Sequence, residues 1–119
     1  MIPVNPFFGM FDMPRDDAAR IQDIRESCDR ITRFVAQMNF EMFQASDITV
    51  RAVLYELIVI GEASKNVSDS SRAKFPGVPW KQISGMRDIV IHQYHGVMLD
   101  VIWETVTNRV VNLRQMLSQ

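Results

Sequence analysis

Apolar side chains recur along most of this chain at steps of three and four, the period of helices that bury one face. Over 16–38 the positions Ala18, Ile21, Ile24, Cys28, Ile31, Phe34, Val35 and Met38 form one stripe, with Arg15, Asp23, Arg25, Glu26, Arg30 and Arg33 on the other faces. Pro14 stands just ahead, and Asp16 and Asp17 fall in the first turn, where negative charge suits the helix dipole. A link over 39–46 carries Phe40, Met42 and Phe43, and Ser46 or Asp47 is placed to cap a second helix running to about Val67. Apolar residues nearly surround that second helix, which predicts the most buried element, with Glu56 and Glu62 as exceptions. Residues 68–74 fit a short capped helix that ends at the turn Pro76-Gly77-Val78-Pro79. Pro79 then suits the first position of a helix carrying Trp80, Ile83, Met86, Ile89, Val90 and Tyr94 and stopping near Gly96. Asp100 opens a last helix with Val101, Trp103, Val106, Val110, Leu113 and Leu117 on one stripe. The expectation is an all-α, antiparallel bundle of four to five helices, with no repeat, strand alternation or linker.

At 119 residues the chain suits one domain, so a site must sit on a single core or across a subunit interface. Thirteen Lys and Arg against fourteen Asp and Glu leave a formal charge of -1, so nucleic-acid binding would need a local basic patch. No apolar stretch approaches the roughly 20 residues needed to cross a bilayer, and the single cysteine, Cys28, fits a reducing compartment; a cytoplasmic protein without membrane contact is expected. The first fourteen residues are apolar but contain Pro3, Pro6 and Pro14 and no Lys or Arg, unlike a secretion signal. Residues 1–15 are therefore read as an N-terminal arm, with Phe7, Phe8, Met10 and Phe11 needing a surface to lie on, and 16–119 as the helical domain.

The chemistry gathers in one stretch. Both histidines, His92 and His95, lie with Arg87, Asp88 and Tyr94 at the end of an otherwise apolar helix. At about 100° per residue, Asp88, His92 and His95 make one line on that helix and Arg87, Ile91 and Tyr94 the line beside it. Arg87 and His92 are then about 140° apart, so they meet more readily through a ligand or across a dimer than directly. Bland roles are open to the same residues: Arg87 can pair with Asp88 or Glu62, Tyr94 can be half-buried core, and His95 a surface cap. Two histidines and one nearby carboxylate lack the ligand set of the usual zinc patterns, so no metal is expected. There is no Gly-rich phosphate loop or serine elbow. Cys28 reads as core rather than nucleophile, and the eight Met as core filler.

Several motifs, in order, resemble those of the HepT-like toxins of the HEPN superfamily. They are Phe40-Glu41 with Phe43, Ala52 through Ile60-Gly61-Glu62-Ala63, Pro76 with Val78-Pro79-Trp80, Gly85-Met86-Arg87-Asp88 with His92-Gln93-Tyr94, and Trp103. The resemblance spans about 16–117. It implies a helical homodimer in which two Arg-x4-His segments face each other across a cleft and act as a metal-independent, cofactor-free endoribonuclease on RNA. Arg87 and His92 match that motif and would be the catalytic pair: His92 as proton acceptor or donor, Arg87 as holder of the phosphate. The resemblance further implies a neighbouring MNT-type nucleotidyltransferase antitoxin that silences the toxin by transferring AMP to Tyr94. Asp88 stands where many relatives carry Asn, and His95 where an aromatic residue is common; both are candidate supporting groups. A non-catalytic nucleotide- or partner-binding module working with the transferase is the competing reading.

Overall fold

The computed structural model describes residues 16–92 and 98–118, excepting the side chains of Ile89 and His92. The arm expected over 1–15 lies outside the described residues. Among these, α1 (Asp17–Val35), α2 (Phe40–Ala45) and α3 (Asp47–Lys65) are followed by the short α4 (Asp69–Arg72). Then come α5 (Trp80–Ser84), α6 (Met86–His92) and α7 (Leu99–Glu104), which passes through a π-helical turn (Thr105–Arg109) into α8 (Val110–Met116). All regular structure among the described residues is helical, and none of these helices is long and apolar enough to cross a membrane.

The starts obey the polar signals in the chain. Asp16 accepts a bond from the Ala19 amide at 2.7 Å, Ser46 caps α3 by accepting from the Thr49 amide, and Ser68 caps α4 through the Ser71 amide. Asp17 reaches further, accepting bonds from the hydroxyls of Ser68 and Ser71 and so tying the start of α1 to α4. These two hydroxyls, Ser68 first, hold the Asp17 carboxyl down at about 2.

α1 and α3 form the main pair of the bundle and run antiparallel. Arg20 donates to the Asn66 carbonyl near one end, while Ser27 and Arg30 meet Glu56 in the middle. α8 returns antiparallel to α1, since Arg25 donates to the Leu117 carbonyl and Arg114 to Asp29. Between them lies a core of Ile24, Cys28 and Ile31 from α1, Val53, Leu57 and Ile60 from α3, and Val106, Val110 and Leu113 from the last helix. Burial pushes the Cys28 thiol up to about 12, so it is core and not a nucleophile. α3 has the longest set of buried residues, as expected, but its apolar residues are not all buried: Ile48 and Tyr55 are 83% and 64% exposed.

The bundle stands, with finer divisions than the four to five expected helices. The first helix ends at Val35 rather than Met38, because Gln37 turns the backbone into the left-handed region at φ 65°. The expected link over 39–46 contains α2, capped by Asn39, because the fully buried Phe43 packs against Trp103 with tilted rings at 5.2 Å and Phe40 lies 6.4 Å from the same ring. The helix expected from Pro79 divides at Gly85, whose amide bonds back to Lys81 and Gln82 carbonyls. The π turn, also unforeseen, sits where Thr105 and Thr107 donate to carbonyls four residues back, Val101 and Trp103.

Candidate active site

α6 carries Arg87, Asp88 and the backbone of His92, and its position is set by how it rests on α3 and α5. Gly61 of α3 is buried directly beneath it. A β-carbon there would lie 2.7 Å from the Arg87 backbone nitrogen and 3.0 Å from the Arg87 Cβ, so only glycine lets the two helices come this close. The approach to α5 is anchored separately. The Trp80 indole donates to the carbonyls of Arg72 and Phe75 at 3.3 and 3.2 Å, and the Arg72 guanidinium lies over the Trp80 ring at 5.7 Å while donating to the Ser64 carbonyl. The Val78-Pro79-Trp80 motif thus fixes the platform from which α6 starts.

Seated this way, the Arg87 side chain turns back toward α3. Its Nε meets Glu62 Oε1 at 2.8 Å and its Nη1 meets Asp88 Oδ1 at 3.5 Å. Both pairings foreseen from the sequence are present together. They do not hide the arginine: its side chain is 40% exposed, and pairs this open to water add at most about 1 kcal/mol to stability. Their effect is on orientation. Two edges of the guanidinium are engaged, and its five N–H donors leave capacity for an oxyanion arriving from solvent.

The cavity in front of this group holds about 240 Å³ and is lined by Glu62, Lys65, Lys81, Ser84, Arg87 and Asp88. Sequence reasoning found Arg87 and Asp88, and met Glu62 only as a possible ion-pair partner. It passed over Lys65 and Lys81, and it missed Gly61 as the residue that sets the approach. The spacing of Glu62 and Lys65, one turn apart on the same helix face, was the available signal. Of the remaining expected site residues, the His92 side chain, Tyr94 and His95 lie outside the described residues.

A larger cleft of about 400 Å³ opens between α5, α6 and the last helix, with Ile83, Val90, Ile102 and Leu113 among its walls. Size would favour it as a ligand site, but Arg109 is the only ionisable side chain among the described residues lining it. It offers packing rather than acid–base chemistry. Among the described residues, no three of His, Cys, Asp and Glu gather where they could hold a metal ion.

Fold and site define a class: an all-helical bundle that presents Arg87 and Asp88, in the first turn of a short helix, on an open charged cavity. The chain belongs to the Ribonuclease HepT-like family, whose model matches residues 24–119. It is 41% identical over 101 residues to a Methanocaldococcus jannaschii protein named "Putative RNase MJ0127", covering 84% of each chain. It is 36% identical over 102 residues to the "Probable ribonuclease HepT" of Thermococcus cleftensis, covering 86% of this chain and 93% of that one. No solved structure matches.

Proposed function

We propose that the protein is a metal-independent endoribonuclease toxin, acting in the cytoplasm as a homodimer and silenced when a partner nucleotidyltransferase transfers AMP to Tyr94. The observation that carries this reading is Arg87, held by Glu62 and Asp88 yet open to solvent five residues before His92, in a chain of the HepT-like family. The names of the relatives support the ribonuclease class.

In this reading Arg87 binds the scissile phosphate and offsets charge on the phosphorane. The His92 imidazole of one subunit takes the proton of the ribose 2'-OH as that oxygen attacks phosphorus. The 5' oxygen leaves with a proton from the imidazolium of the other His92, and a 2',3'-cyclic phosphate remains. An imidazole titrates near neutral pH, so both protonation states are accessible. Asp88 orients Arg87, and His95 serves as a supporting acid–base group. Dimerisation is supported by apolar side chains that lie within or just after the motif in the chain and face solvent: Ile91, Met98 and Val101 are 46%, 56% and 48% exposed. AMP on Tyr94 adds a bulky anion to the RNA path, excluding substrate by charge and by volume.

The test is growth of a host expressing wild type, His92→Ala or Tyr94→Phe, with and without the transferase, alongside RNA cleavage by purified protein in excess chelator. Wild type is expected to arrest growth and cut RNA, folded His92→Ala to do neither, and Tyr94→Phe to cut RNA but escape the transferase. Cleavage by His92→Ala at the wild-type rate would remove the catalytic reading in favour of a binding module.

A further inference from the structure

With a formal charge of -1, this protein has no overall field to draw in RNA, so whatever holds the strand must be local. The cavity beside Arg87 has such a feature. Its rim carries three cations, Lys65, Lys81 and Arg87, against two carboxylates, Glu62 and Asp88. Both carboxylates are in contact with Arg87, at 2.8 and 3.5 Å. With Arg87 they leave a net charge of -1, and the two lysines bring the rim to +1. Lys65, the last residue of α3, and Lys81, in the first turn of α5, are both exposed, and among the described residues neither makes a salt bridge.

We propose that Lys65 and Lys81 form a phosphate-binding subsite that grips the RNA backbone at a phosphate flanking the one Arg87 holds. The inference rests on the ribonuclease reading and adds to it a means of holding the strand. The cavity holds about 240 Å³ and is open to solvent, which leaves room for a phosphate group. An ammonium on a flexible stem suits this task. It holds a phosphate as a point charge without demanding one orientation, whereas Arg87, fixed by two carboxylates, offers directed donors for the reacting group. Contacts of the first kind position a strand and do not read its sequence. The two lysines come from different helices, so the subsite exists only because Gly61 and Trp80 bring α3 and α5 to the same side of α6.

The experiment measures binding of the full-length protein to a single-stranded 2'-O-methyl RNA, which cannot be cut, as a function of NaCl concentration. Wild type is compared with Lys65→Ala/Lys81→Ala, with Lys65→Arg/Lys81→Arg, and with Lys74→Ala as a lysine outside the cavity. Single-stranded binding weakens with a log–log salt slope of about 0.7 per neutralised phosphate, so the double alanine variant, which loses the one phosphate of this subsite, should flatten the slope by about 0.7. The arginine pair should restore the slope, and Lys74→Ala should leave it unchanged. On cleavable RNA the double alanine variant should raise KM and leave kcat within about twofold, since uniform binding is what it removes.

An unchanged slope, or an equal change with Lys74→Ala, overturns the subsite. So does a result in which the two lysines govern ATP binding and leave RNA binding intact, because the site would then serve a nucleotide. Lysine-dependent binding of the uncut strand without cleavage of native RNA would leave the subsite standing and remove the ribonuclease reading. Cleavage with lysine-independent binding would do the reverse.

Discussion

Replacing Gly61 by alanine isolates the contribution of the α3–α6 approach to the site. The added methyl would lie 2.7 Å from the Arg87 backbone nitrogen and 3.0 Å from its Cβ. The first of these is main chain, so the clash cannot be relieved by rotating a side chain. Opening the approach to ordinary contact near 3.4 Å moves α6 back by about 0.7 Å. Overpacking of this kind costs about 1–3 kcal/mol, and the better helix propensity of alanine returns about 1 kcal/mol. The net loss of stability is then about 0–2 kcal/mol, small enough for a domain of ordinary stability, about 5–15 kcal/mol, to remain folded. Activity should suffer more than stability. A shift of about 1 Å in a positioning element can cost about 100-fold, so RNA cleavage by Gly61→Ala should fall by about 10- to 100-fold. Urea unfolding followed by circular dichroism gives the first quantity, and single-turnover cleavage at saturating protein gives the second. Cleavage within about twofold of wild type, with stability unchanged or improved, would refute the claim that this contact sets the place of Arg87.

Two further outcomes follow from the packing. Glu56, 5% exposed, accepts from Ser27 Oγ and Arg30 Nε, both at 2.9 Å, so Glu56→Ala leaves the buried Ser27 hydroxyl without its acceptor and removes the carboxylate partner of Arg30. It should lower stability by about 2–3 kcal/mol in urea, below the range for a fully buried pair because Arg30 is partly solvated, and a loss under about 1 kcal/mol would contradict this account. The Asp17 carboxyl is held at about 2 against an ordinary 3.8, so its contribution is complete above the ordinary value and is lost as pH falls through about 2. The difference in urea midpoint between wild type and Asp17→Asn should therefore be constant above about pH 5 and shrink in acid; a gap that reaches pH 2 undiminished would show that the Ser68 and Ser71 bonds do not depend on the charge.

How much of the site was legible depends on the range of the interactions that make it. The Arg87-to-Tyr94 motif could be read directly, because its residues are near neighbours in the chain and their types carry chemistry. Lys65 offered only its one-turn spacing from Glu62, and Lys81 no signal at all, because a lysine at the end of one helix and another at the start of a different one look like ordinary solvated charges until the helices are placed. Glu62 was visible as an exception on an apolar helix, but nothing local distinguished Asp88 from Glu62 as the partner of Arg87, and the structure uses both.

By itself, the sequence determined the helical class, the main stripes of the core and most helix starts. Those signals are local: a 3.6-residue period, a serine or aspartate ahead of it, a proline before Trp80. Tertiary structure decided what local signals leave open. Phe43 makes a helix of a predicted link because Trp103, sixty residues later, packs against it. Gly61 sits mid-helix at a cost in propensity because Arg87 must pass close above it. The charged cavity forms where α3, α5 and α6 meet, and its pairing of residue 62 with residue 87 follows from that crossing, which no repeat within either helix encodes.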